Sequence, residues 1–173
     1  MKKWLCWILL PVILCGCSQQ KVLETVSDEY VPPTVIAMQQ MAVDIPDGAV
    51  VSAMADDTSG SIYFCDGYTM TLQTMASGDL NETVNSVTGY DASQLELIET
   101  ASGNANRYDW VWVSAGEGEE QVCRGAILDD GNYHYVLTCM TGASNAQSVQ
   151  ECWQTLFRSF CLTTPGEDPY TGS

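Results

Sequence analysis

Val149, Cys152, Trp153, Leu156, Phe157 and Phe160 stand at relative positions 0, 3, 4, 7, 8 and 11, one apolar stripe on a 3.6-residue period. Glu151, Gln154, Thr155 and Arg158 lie off the stripe. Such a segment is an amphipathic helix that must bury one face against another layer, and the layer on offer here is a sheet. Ser144-Asn145-Ala146-Gln147 just ahead matches a capping box, the serine capping the first turn and the glutamine reaching back. The helix is expected to supply much of the core, so that Trp153→Ala costs about 3–5 kcal/mol.

The sheet is read from the runs before it. Three long strands are expected at Tyr108 to Ser114, Gln121 to Leu128 and Tyr133 to Met140, separated by glycine- and acid-rich loops. Shorter ones are expected at Ala42 to Ile45, Ala49 to Met54, Ser61 to Cys65, Tyr68 to Thr74 and Leu95 to Thr100. Asp66-Gly67 between two such runs is a hairpin signal, because its turn residues need positive φ, and Asp130-Gly131 marks another. A first helix is expected from about Asp79 to Val87, with Leu80, Val84 and Val87 on one face and Gly89 as its stop. Runs of strands with one helix in the middle and one at the end give an α+β fold, a mostly antiparallel twisted sheet covered by helices in a single domain.

The run Gly131-Asn132-Tyr133-His134-Tyr135-Val136-Leu137-Thr138-Cys139, then an amphipathic helix, then Ser159-Phe160-Cys161-Leu162, resembles the C-terminal half of PsbP-like α/β/α sandwich domains. Val43-Asp44-Ile45-Pro46-Asp47-Gly48 is similar to that family's first strand and turn. The resemblance implies a small, often membrane-associated accessory protein that binds other proteins. Because its members share no one catalytic site, it carries over no functional residue.

The N-terminus supplies an address. Met1-Lys2-Lys3 precedes a short apolar segment, Trp4 to Cys15, which ends in Leu14-Cys15-Gly16-Cys17. About a dozen residues are too few to span a bilayer core, which needs about 20, and the layout is that of a cleaved signal peptide. It resembles a bacterial lipoprotein signal with its lipobox, although Cys15 departs from the usual small or aliphatic residue there. The resemblance implies cleavage after residue 16 and acylation of Cys17, palmitate among the chains. Residues 1-16 are then signal peptide, 17-37 the lipidated cysteine and a polar spacer, 38-163 the globular domain, and 164-173 a flexible tail. An ordinary secretory signal and an uncleaved anchor are the alternatives. Ser18 permits outer-membrane sorting in a diderm.

Cleavage would leave four basic side chains (Lys21, Arg107, Arg124 and Arg158) against 22 acids. So acidic a body argues against nucleic-acid binding, which needs a basic footprint, and against docking on anionic head groups. Five cysteines would remain in the body, Cys65, Cys123, Cys139, Cys152 and Cys161, with no CxxC spacing. An odd count leaves at least one unpaired or joined to another chain. A two-residue turn at Asp130-Gly131 would set Cys123 opposite Thr138, and a three-residue loop would shift the pairing by one. Neither register favours a Cys123–Cys139 bond.

Candidate chemistry is sparse. His134 is the only histidine, mid-strand, with no nucleophile motif beside it. The acids of the turns, Glu117, Glu119 and Glu120, then Asp129 and Asp130, lie at opposite ends of one strand over about 20 Å long and cannot form one site. Asp56 and Asp57 form a third pair, and none of them matches an EF-hand loop. No metal ligand set and no cofactor motif is evident. Tyr108, Trp110 and Trp112 alternate along one strand face, with Val111 and Val113 on the other. Both faces look apolar, as expected for a sheet covered on both sides. The aromatic face is either core beneath a helix or a partly exposed binding strip, and Tyr108, Trp110 and Trp112 are the candidate binding residues. The leading functional expectation is a membrane-anchored, extracytoplasmic, non-enzymatic binding or accessory module. It would be held to lipid through Cys17 and would meet an envelope protein partner of unknown identity. A small lipid-anchored hydrolase and a solute-binding lipoprotein are the alternatives.

Overall fold

The computed structural model describes residues 37–52, 60–114 and 118–163. Cys17, the signal and spacer, the tail, Asp56, Asp57 and Glu117 therefore lie outside the described residues. A seven-stranded antiparallel sheet runs through the centre. In chain order its strands are β2 (Val50–Val51), β3 (Gly60–Cys65), β4 (Tyr68–Ala76), β5 (Ile98–Ser102), β6 (Ala105–Ser114), β7 (Gln121–Asp129) and β8 (Tyr133–Gly142). Their spatial order is β2-β3-β4-β8-β7-β6-β5. A separate ribbon pairs β1 (Gln40–Ala42) with β9 (Cys161–Thr163). Helix α1 (Leu80–Thr88) lies on one face of the sheet, and α2 (Gln150–Ser159) lies with the ribbon on the other. This is the expected α+β sandwich. The first expected strand forms earlier than read, at Gln40–Ala42, and it joins the ribbon and not the main sheet.

Local chemistry sets the elements. Asp79 caps α1, its Oδ1 accepting the Asn81 N–H at 2.9 Å, and Gly89 ends the helix at φ 78° with its N–H donated to Asn85. Gly67, at φ 76°, closes the two-residue turn that sets Cys65 opposite Tyr68.

Two local readings are corrected. The capping box at Ser144 does not form. Ala143–Asn145 is a 3₁₀ turn, α2 begins at Gln150, and the Ser144 N–H is taken by the Glu119 carboxylate at 3.0 Å. A side chain from another loop thus occupies the donor that a local cap would have used. The β7–β8 turn is also displaced. The pair Asp129↔His134 sets the register, and the turn centres on Gly131-Asn132, one step past Asp130-Gly131. Asp130 causes the shift, because its Oδ1 accepts the N–H groups of both Asn132 and Tyr133. Cys123 consequently faces Met140, and Cys139 faces Arg124. The two sulfurs belong to cores on opposite faces of the sheet, which leaves no geometry for a bond between them.

The cores follow the two helices. On the α2 face Tyr68, Met70, Leu137, Trp153, Leu156 and Phe157 are buried together, and the stripe read from the sequence is the face that α2 presents. On the α1 face Val84, Trp110, Trp112, Cys123, Ile127 and Val136 form the second core.

Candidate functional site: an open groove beside α2

The register places the aromatic and aliphatic residues of β6 on opposite faces. Trp110 is 2 % exposed and Trp112 7 %. Their rings stack with centroids 6.1 Å apart, packed with Val84 and Ile127 on the α1 side. Trp110 lies over Gly125, its register partner, so closely that a Cβ there would fall 2.4–2.9 Å from the indole. Tyr108 is half-buried at the end of the same row. The row Tyr108, Trp110, Trp112 is therefore core beneath α1 and not an exposed strip.

The other face departs from expectation. Val111 is 66 % exposed, Val113 45 % and, on the neighbouring β5, Ile98 59 %. Helix α2 covers the centre of its face but stops short of these outer strands. The step between β6 and α2 is a cavity of about 440 Å³ whose lining includes Ile98, Val111, Val122, Arg124, Trp153 and Gln154. A second hollow of about 370 Å³ shares Ile98, Asp109, Arg124 and Gln154 with it and adds Arg107, Phe157 and Arg158. The two form one groove with an apolar stretch and an arginine-rich stretch.

The arginines differ in how they are held. Arg107 is fully engaged. Its Nε and Nη2 donate to the two Asp109 carboxylate oxygens at 2.6 and 3.0 Å. Its Nη2 and Nη1 also donate to the carbonyls of Phe157 and Phe160 at 2.7 and 3.2 Å. It thereby caps the C-terminal carbonyls of α2, which lack partners within the helix. Arg124 sits over the Phe157 ring, 4.2 Å from its centroid, and Asp109 is 3.8 Å away, a loose ion pair. Burial pushes the Arg124 pKa down, against the pull of Asp109. Arg158 is exposed on the last turn of α2. Trp153, on the groove wall, keeps a buried indole N–H without an acceptor.

The sequence reading missed this face, although a signal was there. Positions 107, 109, 111 and 113 read Arg, Asp, Val, Val, and their cross-strand partners 122, 124, 126 and 128 read Val, Arg, Ala, Leu. The opposite face of the same two strands carries no basic residue. Charge on one face of an otherwise apolar strand pair marks the face that is not closed over.

His134 and the turn acids have structural surroundings. His134 is 1 % exposed, its Nδ1 is 2.7 Å from the Thr83 hydroxyl, and its Nε2 is 3.5 Å from that of Ser77. It ties α1 to β8, out of contact with solvent. Asp129 and Asp130 accept backbone N–H groups of the β7–β8 turn. Ser144 holds the Glu119 carboxyl below the usual range through its backbone N–H and its hydroxyl. Among the described residues, no group of three or more His, Cys, Asp or Glu side chains could hold a metal ion. None of the helices there is long and apolar enough to cross a membrane.

The chain matches no protein-family model, and no curated protein is significantly similar to it in sequence. Its fold is that of the cyanobacterial PsbP protein of Synechocystis. That similarity has a TM-score of 0.50 and 14 % identity, covering 76 % of this chain and 96 % of that one. At such identity the likeness shows the fold alone, and it agrees with the PsbP-like architecture read from the sequence. Two weaker likenesses carry no argument. One is a Ran-binding protein of Saccharomyces cerevisiae (TM-score 0.46, 12 % identity, 74 % and 97 % of the two chains). The other is LpqN, involved in cell envelope biogenesis in Mycobacterium tuberculosis (TM-score 0.48, 9 % identity, 78 % and 87 %).

Proposed function

We propose that this protein is an extracytoplasmic lipoprotein, anchored through acylated Cys17, whose PsbP-like domain is a non-enzymatic binding module. The observation that carries the binding role is the groove beside α2, where exposed Ile98 and Val111 and a loosely paired arginine border a cavity of ligand size. The anchor rests on Leu14-Cys15-Gly16-Cys17. A single acyl chain holds a protein to a membrane only marginally, so a stable tether takes two or more. The burial of His134, the only histidine, speaks against a hydrolase built around that histidine.

Two measurements on the full chain in its own membranes test this reading. A clickable palmitate analogue should label the wild type and not Cys17→Ser, and the variant should leave the membrane fraction; equal labelling of both refutes the anchor. A photo-crosslinking residue at Val111 should give a discrete adduct that the same residue at Glu82, on the exposed side of α1, does not. Identical patterns from the two sites refute the groove as the working surface.

A further inference from the structure

We propose that the groove between β6 and α2 binds a free amphipathic monoanion, a medium-chain carboxylate. Its head would pair with Arg124 and Arg158, and its chain would lie along Ile98, Val111, Val122 and Trp153. The inference deepens the binding-module reading and rests on it.

Charge placement is the first argument. The chain carries six basic side chains against 22 acids, yet Arg107, Arg124 and Arg158 all line one hollow. Counterion bookkeeping is the second. Asp109, the one acid of that hollow, already takes both oxygens to Arg107, which leaves Arg124 an ion pair of 3.8 Å. A partly buried guanidinium held so loosely is a site for an anion, and Arg favours a carboxylate through its planar fork.

Shape and polarity set the rest of the ligand. The adjoining cavity is about 440 Å³, inside the usual range of about 300–1,000 Å³ for small-molecule sites. Ile98, Val111, Val122 and the Trp153 indole on its walls accept an apolar chain, and Gln150 and Gln154 line it beside them. Glu96 lines this cavity but not the arginine hollow, so a second negative charge at the far end of the ligand would be repelled. One anionic end and one apolar body satisfy both halves of the groove. Association also removes from water Ile98 and Val111, which otherwise stay exposed, at about 25 cal/mol per Å².

The test uses the full chain in lipid nanodiscs, with radiolabelled decanoate as the probe and empty nanodiscs as the subtraction. The expected result is saturable binding of one decanoate per chain. Decanol should compete at least about tenfold more weakly, because it lacks the charge, and inorganic phosphate should not compete. Arg124→Gln and Val111→Glu should each weaken binding about tenfold or more. Arg158→Gln, on an exposed side chain, decides the charge requirement if Arg124→Gln changes the circular dichroism spectrum. Uptake no greater than in empty discs, equal competition by decanol, or unchanged binding in these variants would overturn the proposal. If Val111 still gives its specific crosslink while decanoate fails to bind, the ligand class is wrong and the binding surface stands. If both fail, the binding-module reading falls with it.

Discussion

Gly125→Ala tests the packing that turns the aromatic face of β6 inward. A Cβ at position 125 would lie 2.4, 2.6 and 2.9 Å from three atoms of the Trp110 ring. Ordinary carbon contacts are about 3.5–4.0 Å, so the indole has to retreat by about 1 Å. It has little room, being 2 % exposed and stacked on Trp112. Overpacking of this kind costs about 1–3 kcal/mol, and a rigid ring held between β7 and α1 places the cost at the upper end. Urea unfolding followed by circular dichroism gives the number directly, with an unchanged slope showing that only stability moved. A double-mutant cycle separates the clash from any backbone effect of losing glycine. Trp110→Ala alone should cost about 3–5 kcal/mol. Adding Gly125→Ala to it should cost no more, because the ring that the methyl struck is gone. A Gly125→Ala unfolding free energy within about 0.5 kcal/mol of wild type would refute the close stacking of Trp110 on β7.

Two other expectations concern titratable groups. Burial alone would raise the Asp130 pKa, but hydrogen bonds from Asn132, Tyr133, Tyr135 and Gln39 outweigh it and hold the carboxyl below its ordinary 3.8. A depressed folded-state pKa stabilises above the unfolded value and ceases to do so as the pH falls through the folded one. The stability gap between wild type and Asp130→Asn should therefore be full at neutral pH and close below about pH 4; a gap that stays constant down to pH 2 contradicts the assignment. Burial pushes the Cys123 thiol up to about 11 and the Cys139 thiol higher still. Iodoacetamide at pH 8 should label Cys65, Cys152 and Cys161, which are partly exposed, well before Cys123 or Cys139. Mass spectrometry that found Cys123 or Cys139 modified first would count against the two-core arrangement.

Features held by neighbours in sequence were legible, and features held across the fold were not. Asp79 and Gly89 bracket α1 with bonds that reach only two and four residues, and both were readable. The α2 stripe was readable because periodicity alone defines it. Its start was not, since the Glu119 side chain takes the Ser144 N–H from 25 residues away. The β7–β8 register moved because one carboxylate, that of Asp130, binds two consecutive amides. The strand worth examining was readable in β6, but not which of its faces stays open. That depends on how far α2 reaches across the sheet, which no local pattern encodes. The charged residues Arg107, Asp109 and Arg124 were the available clue, and Gly125 beneath Trp110 was the matching sign of a tightly closed face.

The central claim is that the domain works through the valine face of β6 and not through its tryptophan face. A decanoate analogue with a diazirine at the end of its chain tests this most directly, photolysed on the full chain and mapped by peptide mass spectrometry. Adducts are expected on Ile98, Val111, Val122 or Trp153, within the groove beside α2. Adducts confined to another exposed apolar patch, at Val50, Ile62 and Phe64, or none above background, would contradict the account.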